Sequence, residues 1–391
     1  MLDRIVFAHD HQFLRAADSG VYSGRGRWPW DRYLAFAETL SVVSRMEDLP
    51  AGTDTSGLEL SSHPRVSFVP VPSLSGPLVQ YTNRGAARQV LEREIGRASA
   101  VVARLPSEIG DRAARIAERR GKPWAVEVVT CTWDALWNYG SWEGKVYAPV
   151  SWWKTRRVVR RAPFAFYVTE RFLQGRYPSR GRTVGVSDVE LPALDDAVLA
   201  SRLARIRSGP EPVRLGLIAA LSVKFKGVQT ALEALGSLRD RLPALELRIL
   251  GSGDPTPWRE LAREHGVDDA VRFDGSLPPG EPVLRWLDEL DLYLQPSFQE
   301  GLPRSLVEAL SRGLPALGST AGGIPELLPP ECLHRPGDAG RLGELIAAAV
   351  EDRDWLARQA ERNFETAKGF RAETLEGVRS SFWREFAQFA Q

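Results

Sequence analysis

Two glutamates, Glu300 and Glu308, stand eight residues apart in QPSFQEGLPRSLVEALSRGLPALGSTAGGIPELLP, residues 295–329. An ionised carboxylate presents two oxygens that only accept hydrogen bonds, which suits the vicinal hydroxyls of a sugar or a ribose. Pro303 falls between the two. A residue before proline is driven out of the helical region, whereas proline itself suits the first helical position. Glu300 is therefore expected in a loop, with a helix opening near Pro303 and Glu308 about 7 Å further along its axis. The free N–H groups and partial positive charge of such a helix start suit phosphate. Gly301 removes side-chain bulk so that a ligand can approach the main chain, and Gly322, Gly323 and Pro325 shape a second tight loop. Hydroxyl acceptors at both ends with a phosphate cradle between them match the layout of a nucleotide-sugar. Without that context, two glutamates eight apart are common by chance, and either reads first as a solvated helix residue or a first-turn dipole partner.

The elements that must position these residues follow from periodicity. Short β-branched runs predict strands at 4–8, 40–45, 66–71, 100–105, 124–129 and 165–170, then at 213–220, 245–250, 270–275 and 290–295. Helical patterns fall between them at 84–97, 111–120, 227–240, 257–265, 281–289 and 303–312. Such alternation implies parallel sheets covered on both faces. A chain of 391 residues exceeds what one hydrophobic core usually serves. Residues 187–212 mix Pro, Gly and charge around one short helical stretch and mark the junction. The expected fold class is α/β: two facing Rossmann-like domains with ligands in an interdomain cleft at the carboxyl ends of the strands. The expected division is 1–190, a linker at 191–212, a second domain at 213–370, and a C-terminal helix at 371–391 returning to the first.

Composition narrows the class. The apolar fraction of 43% is that of an ordinary globular chain, and a net charge of +1 supplies no global field for nucleic acid. Two cysteines, Cys131 and Cys332, make neither a disulfide framework nor a metal cluster and suit a reducing cytoplasm. No apolar run reaches the roughly 18 residues of a membrane span. The opening MLDRIVFAHD reads as a first buried strand and not as a signal peptide.

The run Glu300-Gly301-Leu302-Pro303, Glu308-Ala309-Leu310, Gly313-Leu314-Pro315 and Gly322-Gly323-Ile324-Pro325-Glu326 resembles the Glu-x7-Glu signature of retaining glycosyltransferases of family 4, which have the GT-B fold. The resemblance covers most of the C-terminal half. It implies that Glu308 binds the donor's ribose, that Glu300 holds the hydroxyls of the transferred sugar, and that the backbone of Gly301, Leu302 and Pro303 lies near sugar and diphosphate. The segment ALSVKFKGVQTALEAL, 220–235, is similar to the family's loop carrying a diphosphate-binding lysine; Lys226, just before Gly227, takes that place. Ala219-Ala220-Leu221 stands where most members have Gly-Arg-Leu, so Lys224 is the candidate to supply the missing charge. The turns LGSGD and FDGSL, with Gly251, Gly253 and Gly275, match where the family cradles the base through its backbone, and read equally as ordinary strand-end turns.

The family's acceptor side falls mainly to the N-terminal half. His9, Asp10 and His11 follow the first expected strand and should form a polar cluster at its carboxyl end. Metal ligation by His9 and His11 lacks a third and fourth ligand at suitable spacing. The segment SGVYSGRGRWPW resembles a substrate loop of a bacterial subgroup; Gly24-x-Gly26 is not a dinucleotide fingerprint, since no helix pattern follows in register. In TCTWDALWNYGSW, Trp133 and Asp134 occupy the region where many members place a histidine. Asp134 is read as an acceptor-side polar group or as a helix cap, and the tryptophans as sugar-stacking rings or as filler. Residues 152–161, WWKTRRVVRR, read as a solvated basic face or as a peripheral contact with the anionic inner face of a membrane.

The resemblance implies a hexosyltransferase that needs no metal and no cofactor beyond a nucleotide-sugar co-substrate, with a UDP-sugar expected. The acceptor is a glycan, a lipid-linked sugar or a small-molecule hydroxyl, in polysaccharide or glycolipid assembly. Two other classes stay open: a nucleotide-sugar epimerase or sugar phosphorylase on a related frame, and a non-catalytic nucleotide-sugar-binding subunit. A histidine- and carboxylate-rich cleft or a pyridoxal lysine would mark the first. Binding without turnover would mark the second.

Overall fold

The computed structural model describes residues 1–17, 19–24, 28–74, 77–138, 140–239 and 245–391. Gly26, and with it the Gly24-x-Gly26 reading, lies outside them. The chain divides into two compact units. Residues 1–130, 150–186 and 377–391 form the first, and residues 131–149 and 187–376 the second.

The first unit is built on β1 (Leu2–Arg15), β2 (Val21–Ser23), β3 (Ala37–Asp48), β4 (Glu59–Leu60), β5 (Val66–Pro70), β6 (Ala100–Leu105), β7 (Trp124–Val128), β8 (Phe164–Tyr167) and β9 (Arg182–Gly185). The order β5-β3-β1-β6-β7-β8-β9 is parallel throughout, and β2 and β4 add antiparallel at the far end of β1. Its centre consists of the runs Ile5–Ala8, Val101–Ala103 and Ala125–Val126, all without exposed surface, as strands covered on both faces require.

The first strand does not stop at Ala8 but continues through His9, Asp10 and His11 to Arg15, with a register irregularity against β3 between Ala8 and Gln12. The extension alternates, with His11 and Phe13 buried and Gln12 and Arg15 exposed, so its polar residue types concealed a strand. The basic segment 152–161 is likewise the second half of a longer helix, Trp142–Arg161, which contains Pro149. The C-terminal helix, Ala372–Phe389, ends in this unit. There Trp383 lies 5.6 Å from Tyr33 and 5.5 Å from Phe36 between ring centroids, and Phe386 lies 5.4 Å from Phe164.

The second unit carries β10 (Val213–Ile218), β11 (Leu245–Leu250), β12 (Val271–Gly275), β13 (Leu292–Gln295), β14 (Ala316–Ser319) and β15 (Leu333–His334). They form one all-parallel sheet in the order β12-β11-β10-β13-β14-β15. The order reverses direction between β10 and β13, and in such sheets ligands bind beyond the carboxyl ends at that switch. Leu306, Val307 and Leu310 of the helix Arg304–Ser311 are fully buried against the sheet, each contributing roughly 1.5–3 kcal/mol. Within the stretch read as a linker, Asp196–Ser208 forms a helix that Asp195 caps at Ala197 N–H and Gly209 closes. Arg202 anchors this helix in the second unit by donating to the carbonyls of Leu287, Leu290 and Arg312.

Candidate functional site

β13 ends in Gln295, an amide with no exposed surface at the tip of an otherwise apolar strand. Its Oε1 accepts from Ser305 Oγ at 3.0 Å and Tyr293 hydroxyl at 3.2 Å, which leaves its Nε2 to donate to Ser297 Oγ at 2.8 Å and Glu300 Oε1 at 3.1 Å. Ser297 Oγ donates to the same carboxylate oxygen at 2.8 Å. The third donor is Lys226 Nζ, at 2.7 Å. Glu300 is thus oriented by three donors on one oxygen, with its side chain 9% exposed and that of Lys226 23%. The ion pair joins the loop after β10 to the loop after β13, the two loops flanking the reversal in strand order.

Backbone contacts hold these loops at that spacing. Phe298 N–H donates to the Phe225 carbonyl at 2.7 Å, beside the short 3-10 turn Lys224–Lys226. Gly227 has φ +80°, and a Cβ there would lie 2.1 Å from the Pro296 carbonyl oxygen. The loop after β14 closes on the same place: Gly323 N–H donates to the Gly301 carbonyl at 2.7 Å, and Ser319 Oγ to the Ser297 carbonyl at 2.5 Å. Gly322 has φ +59°, and a Cβ there would meet the Glu300 carbonyl oxygen at 2.2 Å. The prolines and glycines around the glutamate pair therefore serve close packing of three strand-end loops.

Glu308 sits in the second turn of the helix Arg304–Ser311, for which Pro303 is the N-cap. Burial raises its carboxyl above the ordinary range, and Arg304 acts in the opposite direction. Among the described residues, no donor is bonded to this carboxylate. The helix start has no side-chain cap, nor does that of Val228–Gly236 behind Gly227. The helices Ala339–Glu351 and Arg353–Lys368 are by contrast capped by Asp338 and Asp352. A helix start without a side-chain cap presents main-chain N–H groups that suit an anion, although Thr256–Glu264 and Glu281–Asp288 lack such a cap as well.

The remaining expected residues distribute as follows. Lys224 is exposed on the same turn as Lys226. Gly251 N–H donates to the Gly275 carbonyl at 2.6 Å and Leu221 N–H to the Ser252 carbonyl at 2.8 Å, so the turns after β10, β11 and β12 are tied together. Gly253 packs against Leu221. Trp133 and Asp134 lie on the helix Thr132–Trp137, which groups with the second unit. Asn138, just past its end, donates to the Phe298 carbonyl at 3.3 Å and so sets this helix beside the Glu300 loop. Asp134 is not the N-cap; that position is Cys131, and Asp134 lies within the first turn, where its charge complements the helix dipole.

His9 and His11 belong to the first unit. Their rings stack at 6.5 Å, Trp28 approaches them at 5.9 and 5.1 Å, and His11 Nε2 pairs with Ser23 Oγ at 3.0 Å. Asp10 accepts from Glu108 N–H at 2.6 Å and Ile109 N–H at 3.2 Å, so it is occupied with the start of the helix Glu108–Arg119. Sequence reasoning missed Gln295, Ser297, Ser305 and Asn138. The signal for Gln295 was a polar residue ending the apolar run LDLYLQ; the other three had none, because serines and asparagines are common in loops.

Residues 212–352 match the family described as Glycosyl transferases group 1. Over 374 residues, 95% of this chain and 93% of the other, the sequence is 27% identical to Protein CapJ of Staphylococcus aureus. It is 33% identical over 171 residues to the putative colanic acid biosynthesis glycosyltransferase WcaL of Escherichia coli K12, a match spanning 40% of this chain and 41% of that protein. The crystal structure of Anabaena HepE in complex with UDP-glucose superposes with a TM-score of 0.64 at 15% identity, covering 98% of this chain and 100% of that one. The chain has the GT-B fold, its residues 212–352 match a glycosyl transferase family, and glycosyltransferase is the enzyme class that these likenesses support.

Proposed function

We propose that this is a retaining, metal-independent glycosyltransferase of family 4 that moves a hexose from a nucleotide-sugar, most readily a UDP-sugar, to a hydroxyl of a growing polysaccharide or glycolipid. The observation that carries the reading is the Lys226–Glu300 pair across the strand-order switch, with Glu308, whose carboxylate has no donor among the described residues, in the second turn of the helix that follows. In this reading Glu308 accepts the ribose hydroxyls, and Glu300 accepts hydroxyls of the transferred sugar. Lys226 and the uncapped helix starts take up charge on the departing diphosphate. The names of WcaL and of AmsK, an amylovoran biosynthesis glycosyltransferase of Erwinia amylovora, support the polysaccharide setting, and the HepE complex supports a uridine donor.

The step breaks the bond from sugar C1 to the β-phosphate oxygen and forms one from C1 to the acceptor oxygen on the same face. The acceptor proton passes to the leaving phosphate. Lys226 acts where negative charge grows, and a stabiliser of that kind accelerates only if it is stronger in the transition state than in the ground state. Glu300 holds Lys226 in place until phosphate competes for it. Asp134 and Trp133 are the acceptor-side candidates through the Asn138 tether, and His9 and His11 those of the first unit.

A thermal-shift panel of nucleoside diphosphates tests the donor, with NMR of the product's anomeric configuration testing retention. UDP should give the largest shift, and an α-donor should give an α-linked product. Equal shifts for all bases, or an inverted product, would overturn the respective part.

A further inference from the structure

The first unit gathers a second group of cationic side chains, remote in sequence from Lys226 and Glu300. A cavity of about 390 Å³ lies between the helices Pro77–Gly96 and Glu108–Arg119 and the side of Trp142–Arg161. Arg84, Arg88, Arg112, Arg115, Arg119 and Lys154 line it. The carboxylates in the lining are Glu108 and Asp111, so six cations face two acids and four positive charges are left in excess. The whole chain has a net charge of only +1, so this charge is a local concentration and not part of a generally basic surface.

The two acids are already engaged. Glu108 holds Lys154 at 3.0 and 3.1 Å, and Asp111 holds Arg115 at 2.8 and 3.1 Å. Arg88 pairs with Glu92 at 2.7 Å. Among the described residues Arg84 and Arg112 have no carboxylate partner, and the Nε of Arg112 is a buried donor with no acceptor. A buried guanidinium donor without an acceptor is costly unless a ligand supplies one. Planar guanidinium forks match the oxygens of phosphate two at a time, and the cavity has the volume of an ordinary small-ligand site. We infer that this cavity binds a phosphate-bearing group, with Arg112 and Arg84 as the principal contacts. The shared chemistry is a phosphate or diphosphate, carried by a free ligand or by a lipid headgroup.

The test uses the full chain in a Lys226→Ala background, so that pyrophosphate binding does not report on the donor loops. Calorimetry with sodium pyrophosphate is run on that parent and on added Arg112→Gln or Arg84→Gln. Arg84 is exposed, so its replacement leaves the core untouched, and thermal melts check both folds. A second arm sediments the same proteins with phosphatidylglycerol/phosphatidylcholine vesicles and with phosphatidylcholine alone. Each substitution is expected to weaken pyrophosphate binding at least about fivefold, with affinity falling as salt rises. Binding only to the anionic vesicles, lost in the same variants, supports the site and assigns it to a headgroup. Parent and variants behaving alike in both arms would overturn the inference, and would leave the donor reading where it stands.

Discussion

Glu308 is the residue whose physical state most directly carries its proposed role. It is partly buried, has no donor among the described residues, and is held above the ordinary carboxyl range by desolvation. An acid whose folded-state pKa is raised binds its proton in the folded chain where the unfolded chain has already lost it. Stability therefore falls as pH rises through the window from the ordinary value of about 4.3 to the raised one, and stays lower above it. Glu308→Gln removes that cost, and should melt at a higher temperature than the parent at pH 7, the gap closing as pH is lowered through the window. The same change should weaken nucleotide binding roughly tenfold or more, because a charged acceptor is lost. Differential scanning calorimetry across pH reads the first effect; a lower melting temperature at pH 7 would mean that Glu308 is already satisfied in the free protein.

At the scale of elements, the strand-end loops of the second unit act as one assembly. Gly322 has its φ at +59° with its missing Cβ directed at the Glu300 carbonyl, so Gly322→Ala must move the loop after β14 or the one after β13. The expected result is a fall in kcat of about a hundredfold with modest change in stability, since a 1 Å misplacement of a positioned group can cost that much. An unchanged kcat would show that the loops move independently. Much of this was legible in sequence. Pro303 and Gly301 placed Glu300 ahead of the helix, and the alternation of apolar runs gave the parallel sheets. The hydrogen bonds from Gln295 and Ser297 to Glu300, and the tether from Asn138 to Phe298, were not legible, because they join residues whose types say nothing until the chain turns. The continuation of β1 through His9 to Arg15 was missed for a related reason: where the strand runs on past its pairing with β6, it alternates with polar residues that read as loop.

For the whole molecule, the two units bury separate cores, and the C-terminal helix starts among residues of the second and ends in the first. Trp383 is 2% exposed between Tyr33, Phe36 and Phe166. Trp383→Ala should cost the first unit about 3–5 kcal/mol, read as an earlier unfolding transition in denaturant. The nucleotide-stabilised transition should stay in place, gaining about 2.7 kcal/mol at a hundredfold excess of ligand over Kd in both proteins. A single transition that shifts as a whole would mean that the units unfold together.

If two carboxylates grip different ends of one donor, calorimetric titration of UDP and of UDP-glucose into the parent, Glu308→Gln and Glu300→Gln separates their contributions. Glu308→Gln should weaken both ligands alike, whereas Glu300→Gln should leave UDP no weaker and reduce only the added affinity contributed by the glucose. Three proteins that bind both ligands equally well would contradict the account.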